Sequence, residues 1–198
     1  MILFNNKELA KVKHVLLIYG LPGSGKTTLA KAIQDLLPRE STLWFNADKV
    51  RSTLSRDLGF KAEDRIEQAR RMACVASLAL EASPAIRLSI VDFVNPNTDT
   101  YAMFMKNLHA PDGTPKVSDA NRVPESASMN VEYSMYSVFM NTIGANESRF
   151  ADTAAMFNGS READYTIDTF LESDEEFLLH AKAVVSNIVE KAKRGNAN

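Results

Sequence analysis

One short segment near the start of the chain has the residue types and spacing to bind phosphate. It follows the pattern Gly-x-x-x-x-Gly-Lys-Thr from Gly20 to Thr27. The glycines let the backbone curl so that successive N–H groups converge on phosphate oxygens, the lysine can reach the β- and γ-phosphates, and the threonine hydroxyl can bind Mg²⁺. The segment therefore predicts a site for a Mg²⁺-nucleotide, which we take to be ATP. The predicted nucleotide-binding residues are Gly20, Leu21, Pro22, Gly23, Ser24, Gly25, Lys26, Thr27 and Thr28.

Two aspartates could supply the carboxylate that phosphoryl transfer needs. A carboxylate opposite the phosphate loop can orient or deprotonate the acceptor hydroxyl, and another can help to hold Mg²⁺. Asp48 follows a predicted strand, although it could instead cap the helix predicted from position 49. Asp92 ends an apolar strand, as a magnesium-associated aspartate does, although it could be an ordinary turn residue. We expect Lys26 and Asp48 to be catalytic and Thr27, Asp48 and Asp92 to be the metal-site residues, and the sequence does not decide which aspartate dominates.

A cluster of arginines surrounds an aromatic residue, Phe60, downstream of Asp48. Arginine forks could grip an anionic acceptor while the aromatic ring stacks on a planar group. The alternative is that these arginines are solvated and pair with neighbouring acidic residues across helical turns. The arginines are Arg51, Arg56, Arg65, Arg70 and Arg71, and the acidic residues are Asp57, Glu63, Asp64 and Glu67.

The elements that must position these residues alternate between strands and helices. Such alternation predicts a mostly parallel five-stranded sheet with helices on both faces, the three-layer α/β/α arrangement of P-loop NTPases. Apolar runs predict strands over 15–19, 42–45, 86–91, 134–143 and 165–168. Helical spacing predicts helices over 27–37, 49–58, 62–82, 97–108 and 173–193. We expect one domain over residues 1–198, with a loop insertion at 109–130 and a lid at about 144–162.

Composition narrows the classes of partner. The chain has 198 residues, a formal net charge of −2 and 45% apolar residues, which suit one globular domain. This charge balance argues against non-specific binding to nucleic acid or to an anionic membrane. The single cysteine, Cys74, cannot form an internal disulfide, and no apolar run has the length to span a bilayer. We therefore expect a cytoplasmic protein with no membrane partner. The sequence allows a homodimer without determining the oligomeric state.

Three motifs after the phosphate loop resemble the adenylylsulfate kinase (APS kinase) family. That family reads Asp-Gly-Asp-Asn-x-Arg, Asp-Leu-Gly-Phe and Asp-Arg-x-Glu-Asn-x-Arg-Arg at this spacing. The corresponding segments here are Phe45-Asn-Ala-Asp-Lys-Val-Arg51, Arg56-Asp-Leu-Gly-Phe60 and Glu63-Asp-Arg-Ile-Glu-Gln-Ala-Arg-Arg71. Phe93-Val-Asn-Pro96 and Tyr165-Thr-Ile-Asp-Thr169 also resemble family segments. The close resemblance runs from Gly20 to Arg71, about the first third of the chain.

The resemblance implies a specific reaction. It is the ATP-dependent phosphorylation of the 3′-hydroxyl of adenosine 5′-phosphosulfate (APS), which gives 3′-phosphoadenosine 5′-phosphosulfate (PAPS), a step of sulfate assimilation. On this basis Asp48 would lie near the acceptor hydroxyl and Mg²⁺. The implied acceptor-binding residues are Arg51 and Arg65 for the phosphosulfate, Phe60 for the adenine, Gln68 in place of the family asparagine, and Val94 and Asn95 lining the pocket.

The sequence departs from the family pattern at several positions. Asn46 replaces the first acid of Asp-Gly-Asp, Lys49 replaces the following asparagine, and residues 97–101 lack the expected arginine. The usual lid is replaced by a segment, 141–153, that resembles a divergent branch of kinases of the same name, in which Arg149 would be a catalytic lid arginine over the phosphates. Two alternatives therefore stay open. One is a P-loop kinase for another hydroxyl, such as a polynucleotide 5′-hydroxyl, a nucleoside or a small alcohol, and the other is a non-catalytic nucleotide-binding regulator.

Overall fold

Five parallel strands form the centre of the molecule. The computed structural model describes residues 13–108, 133–142, 151–157, 163–169 and 173–195. Within these ranges the strands form one sheet in the order β2-β3-β1-β4-β5, and every neighbouring pair is parallel. The strands are β1 (Lys13–Gly20), β2 (Thr42–Asn46), β3 (Leu88–Phe93), β4 (Tyr133–Thr142) and β5 (Tyr165–Thr169). The predicted five-stranded parallel sheet is confirmed.

Helices cover both faces of the sheet. They are α1 (Lys26–Leu36), α2 (Ala47–Thr53), α3 (Ala62–Ala82), α4 (Thr98–Lys106), α5 (Ala151–Met156) and α6 (Asp174–Gly195), with a 3₁₀ turn at Arg39–Ser41. One apolar layer joins α1 and α6 to the sheet, and the other joins α3 and α4 to its opposite face. The three-layer α/β/α prediction is therefore confirmed. Among the described helices, none combines the length and apolar character that crossing a bilayer requires.

The central strand β1 supplies both layers because its residues alternate between the two faces. Leu16 and Ile18 pack in the layer of α1 and α6, whereas Val15 and Leu17 pack in the layer of α3 and α4. All of them have no exposed surface, as expected of a parallel strand that is covered on both sides. The continuous apolar run in the sequence follows from this position.

The strand register brings polar residues from separate segments to one edge of the sheet. Tyr19 of β1 pairs with Phe93 of β3, so the phosphate loop begins where β3 ends. On the other side of β3, Asn46 at the end of β2 pairs with Asp92. The carboxyl ends of these three parallel strands therefore meet beside the start of α1, where open α/β sheets bind their ligands.

Two elements differ from the sequence predictions for reasons that the structure shows. The helix predicted over 49–58 is α2, which ends at Thr53, because a turn follows in which Arg71 Nη1 donates to the carbonyl of Leu54 at 3.1 Å. The strand predicted over 86–91 begins instead at Leu88 and continues to Phe93. Ile86 is held in a turn by its N–H bond to the carbonyl of Ser83 at 3.2 Å, and Asp92 lies within the strand.

The remaining predicted elements follow the sequence closely. Helix α3 has the predicted bounds, and α6 begins with the predicted capping box, in which Ser173 Oγ accepts from the N–H of Glu176 at 3.3 Å. The loop predicted at 109–130 lies outside the described residues. Of the predicted lid at 144–162, the structure describes 151–157, which contain α5.

Candidate active site

The phosphate loop needs glycine at two positions for different reasons. Gly25 ends the loop with a φ of 84°, and a Cβ placed there would come within 2.7 Å of Cε1 of Phe177 in α6. Gly20 begins the loop, and a Cβ there would lie 2.5 Å from the carbonyl oxygen of Met140 in β4. The loop is thus wedged between β4 and α6, and its path depends on the absence of these side chains.

Lys26 is a buried cation at the first position of α1. Its Nζ donates to the carbonyl of Leu21 at 2.6 Å and lies 3.4 Å from Ser24 Oγ, so the side chain curls over the loop. Burial lowers the pKa of Lys26 to about 8, against the opposing charges of Asp92 and Asp48. Further negative charge in the loop would favour the protonated amine, as a nucleotide phosphate does.

Asp92 sits at the centre of a hydrogen-bond network at the end of β3. Its Oδ2 accepts from Thr27 Oγ1 at 2.9 Å and from Asn46 Nδ2 at 3.0 Å, and its Oδ1 accepts from Trp44 Nε1 at 2.8 Å. Burial raises the pKa of Asp92, while these three donors and the charge of Lys26 lower it. Asp92 therefore lies within a strand and accepts three side-chain hydrogen bonds, so the alternative of an ordinary turn residue is wrong.

The chemistry of Thr27 and Asp92 fits Mg²⁺. A hydroxyl oxygen and a carboxylate oxygen lie next to each other, and both are the hard oxygen ligands that Mg²⁺ prefers. In the part of the chain that the structure describes, no group of three or more His, Cys, Asp or Glu residues could hold a metal alone. Mg²⁺ bound here would complete its coordination with nucleotide phosphates and water, as is usual for this ion.

Asp48 lies in the same cleft, on the exposed first turn of α2. The cap of this helix is Asn46, whose Oδ1 accepts from the N–H of Lys49 at 3.1 Å. The alternative that Asp48 caps the helix is therefore wrong. Asp48 lines the cleft without a capping role, and its charge acts on Lys26 of the phosphate loop.

Phe60 and Arg65 form a second wall of the cleft, and Arg51 lies beside the Phe60 ring. The Phe60 side chain is 66% exposed, and the guanidinium carbons of Arg51 and Arg65 lie 4.8 and 5.9 Å from its ring centroid. Arg51 also bonds to the carbonyl of Gly59. Arg65 donates through Nε to the carbonyl of Phe60 at 2.9 Å and through Nη2 to Thr153 Oγ1 of α5 at 2.8 Å. An exposed ring beside two cations suits a planar, anionic ligand.

Arg70 and Arg71 have a structural role. For these two residues the alternative that the arginines pair with neighbouring acidic residues is correct. Arg70 pairs with Glu67 at 2.7 Å, and Arg71 pairs with both Glu67 at 2.8 Å and Asp57 at 2.6 Å. These bonds, led by that of Arg70, lower the pKa of Glu67 to about 2. Within the cluster, Arg71 thus anchors the turn after α2 and Arg70 pairs within α3, whereas Arg51 and Arg65 lie beside Phe60.

Most of the predicted site residues line one cleft of about 1360 Å³, which is large enough for two nucleotide-sized ligands. Those at its surface are Pro22, Gly23, Gly25, Lys26, Thr27, Thr28, Asp48, Phe60, Arg65, Asp92 and Val94. Gln68 is buried behind α2, where its Nε2 lies 3.5 Å from the carbonyl of Ala47, and Asn95 is buried with a φ of 47°. Gly20, Leu21, Ser24 and Arg51 adjoin the cleft without lining it, and Arg149 lies outside the described residues.

Several residues at the cleft were absent from the predicted site residues, and four of them have polar side chains. Asn46, Lys61 and Thr153 line the cleft, and Trp44 bonds to Asp92. Trp44 precedes Asn46 by two positions on a strand, and this spacing places both on one face. No comparable signal marks Thr153, because it lies far from Arg65 in the sequence.

A family model and the curated relatives of this chain agree on one family. The family model for adenylylsulphate kinase matches residues 12–112. An adenylyl-sulfate kinase of Bacteroides thetaiotaomicron is 35% identical over 102 residues, which are 50% of this chain and 49% of that protein. The bifunctional enzyme NodQ of Rhizobium tropici is 43% identical over 91 residues, 45% of this chain and 14% of that protein. The chain thus spans about half or less of the curated relatives that it matches.

The fold also matches a solved structure. The APS kinase of Mycobacterium tuberculosis, determined in complex with AMPPNP and APS, superposes with a TM-score of 0.64 at 20% identity. The superposition covers 88% of this chain and 96% of that one. At this identity the likeness concerns the fold, and it extends beyond the segment that the family model matches.

Proposed function

The chain belongs to the adenylylsulphate kinase family, and on this premise we propose that it phosphorylates the 3′-hydroxyl of adenosine 5′-phosphosulfate with ATP. The products are ADP and PAPS. The observation that carries the proposal is the pairing of two walls in one cleft. The phosphate loop with Lys26 forms one wall, and the exposed ring of Phe60 with Arg65 forms the other.

The donor wall would bind the phosphates of ATP. The loop from Gly20 to Thr28 supplies backbone N–H groups, and the N-terminus of α1 adds its positive dipole. Lys26 would hold the β- and γ-phosphates. Thr27 and Asp92 would hold Mg²⁺, with Asp48 near it, and the ion would neutralise charge on the transferred group. Arg149 is proposed as a further cation over the phosphates.

The acceptor wall would bind APS. Phe60 would stack on the adenine, while Arg51 and Arg65 would pair with the phosphosulfate. Val94 lines the cleft and would contact the sugar, and the buried residues Gln68 and Asn95 would support the pocket. Asp48 would orient the 3′-hydroxyl toward the γ-phosphate and accept its proton, a role that its place in the same cleft supports.

Assembly and location are the remaining proposals. We propose one kinase domain over residues 1–198, of a cytoplasmic protein that supplies PAPS for sulfate assimilation and forms a homodimer. Light scattering of the purified protein would give its mass directly, for comparison with the 21.9 kDa of one chain.

An assay of ADP release with different acceptors tests the reaction. ATP and Mg²⁺ are supplied with APS, with AMP, with an oligonucleotide that has a 5′-hydroxyl, or with no acceptor. We expect release only with APS, and its loss in Lys26→Ala. Release with another acceptor would identify a different kinase, and nucleotide binding without release from any acceptor would favour a non-catalytic regulator.

A further inference from the structure

We propose that Trp44 is a positioning residue for the Mg²⁺-nucleotide, because its indole N–H fixes the orientation of Asp92. The inference rests on the proposed function only for the binding of Mg²⁺ and ATP, and it is independent of the acceptor. The inference starts from one hydrogen bond. The indole nitrogen of Trp44, on the edge strand β2, donates to the carboxylate of Asp92 beside the phosphate loop.

The two carboxylate oxygens of Asp92 have separate partners. Oδ1 accepts from Trp44 Nε1 at 2.8 Å, whereas Oδ2 accepts from Thr27 Oγ1 at 2.9 Å and Asn46 Nδ2 at 3.0 Å. Thr27 is the residue whose hydroxyl would bind Mg²⁺. The bond from Trp44 therefore holds the carboxylate so that its other oxygen faces the metal site.

The position of Trp44 in the sheet makes this donor rigid. Trp44 pairs with Ile90 and Asn46 pairs with Asp92, so Trp44 lies two residues below Asn46 on the same face of β2. Its ring is half-buried against the apolar layer of α1 and α6. A ring packed in this way can present its N–H in only a narrow range of directions.

Removal of the indole N–H would leave Oδ1 of a buried carboxylate without its donor. Asp92 is 2% exposed, so water would not readily replace the bond, and the carboxylate could rotate away from Thr27. Hydrogen bonds to charged groups are worth enough to change metal affinity about tenfold. We expect this loss in Trp44→Phe, which keeps an aromatic ring at the same place.

The chain itself offers a direct reporter of this bond. It contains 1 tryptophan, so a ¹⁵N-labelled sample gives a single indole N–H resonance in NMR spectra. We expect this resonance to shift when AMPPNP is added with Mg²⁺, and to shift much less when it is added with EDTA. If the resonance is unchanged by Mg²⁺–AMPPNP while the amides of the phosphate loop shift, Trp44 does not report on the metal site and the inference is wrong.

Affinity measurements on variants give the second test. For Trp44→Phe we expect the half-saturating Mg²⁺ concentration for AMPPNP binding to rise about tenfold, with metal-free AMPPNP affinity unchanged. Phe45→Leu is the matched control, because Phe45 is the next residue of β2 and packs against the opposite layer. Equal losses with and without Mg²⁺, or the same loss in Phe45→Leu, would overturn the inference. Failure of APS to accept phosphate would instead contradict the proposed function alone.

Discussion

At the scale of single residues, Asn46 serves both the hydrogen-bond network of Asp92 and the start of α2. Its side chain donates through Nδ2 to Asp92 and through Nδ2 to Thr27 Oγ1 at 3.2 Å, while its Oδ1 caps α2. An aspartate here could accept the capping bond, but it has no N–H for Asp92 and would set two carboxylates side by side. The asparagine that departs from the family pattern therefore suits a site in which Asp92 carries the charge.

Lys26 should make nucleotide binding depend on pH. Burial lowers its pKa to about 8, so about half of the side chains are charged at pH 8 and about a tenth at pH 9. Phosphate binds the charged form. We therefore expect the Kd for AMPPNP to rise about tenfold from pH 7 to pH 9, measured by calorimetry. Lys26→Arg should bind more weakly but show little change over this range, because arginine stays protonated. The same slope in both proteins would contradict the assignment to Lys26.

Phe60 should affect the acceptor and not the nucleotide. Stacking of a base on an aromatic ring is worth about 1–3 kcal/mol, and the Phe60 ring is exposed in the cleft, outside the phosphate loop. For Phe60→Ala we expect the KM for APS to rise about tenfold or more, with kcat little changed, because stacking is lost in ground and transition states alike. Phe60→Trp, which keeps an aromatic face, should retain a low KM. An unchanged KM in Phe60→Ala would remove Phe60 from the acceptor site.

At the scale of elements, α5 is tied to both the acceptor wall and the sheet. Thr153 accepts a hydrogen bond from Arg65 at 2.8 Å, and Phe157, just after the helix, stacks on Phe139 of β4 with centroids 5.9 Å apart. Phe139 in turn stacks on Tyr19 with centroids 5.2 Å apart, directly before the phosphate loop. Helix α5 thus connects the guanidinium of Arg65 to the strand that carries the nucleotide site.

Removal of the Thr153 hydroxyl should loosen Arg65 and weaken acceptor binding. Thr153→Val keeps the shape of the side chain but removes the acceptor of the 2.8 Å bond. We expect a rise of about threefold to tenfold in the KM for APS, a range that corresponds to one net hydrogen bond, and no change in the KM for ATP. Thr153→Ser keeps the hydroxyl and should behave like the original protein in the same kinetic assay. A loss in Thr153→Ser as large as that in Thr153→Val would point to packing instead.

An element could be predicted from the sequence where its own residues determine its conformation, and not where contacts with other elements determine it. The continuous apolar run of β1 and the long apolar spacing of α3 were sufficient to predict these elements. The end of α2 could not be predicted in this way. The helix ends before Leu54, whose carbonyl accepts a hydrogen bond from Arg71, a residue distant in the sequence. The site followed the same pattern, since the phosphate loop was evident from its spacing, whereas the roles of Trp44 and Thr153 depend on contacts between elements.

At the scale of the whole molecule, the nucleotide site depends on a helix near the far end of the chain. Helix α6 packs along α1, and Phe177 places its ring against Gly25, so the final helix supports the phosphate loop from below. The sequence predicted α6 from its capping box and apolar spacing but gave no sign of this contact. The family model ends at residue 112, so α6 is also outside the segment that it matches.

Truncation of Phe177 should therefore reduce both stability and nucleotide affinity. Its ring is buried, and replacing a buried phenylalanine by alanine costs about 3–5 kcal/mol of unfolding free energy. Because the cavity would open under Gly25, we expect the loop to lose its fixed path and the Kd for AMPPNP to rise as well. Leu179→Ala is the matched control on the same helix, where the side chain is 66% exposed and its loss should change stability by less than about 0.5 kcal/mol. Urea unfolding and calorimetry on both variants separate the two effects: a destabilised Phe177→Ala that still binds AMPPNP with full affinity would show that α6 stabilises the fold without shaping the loop.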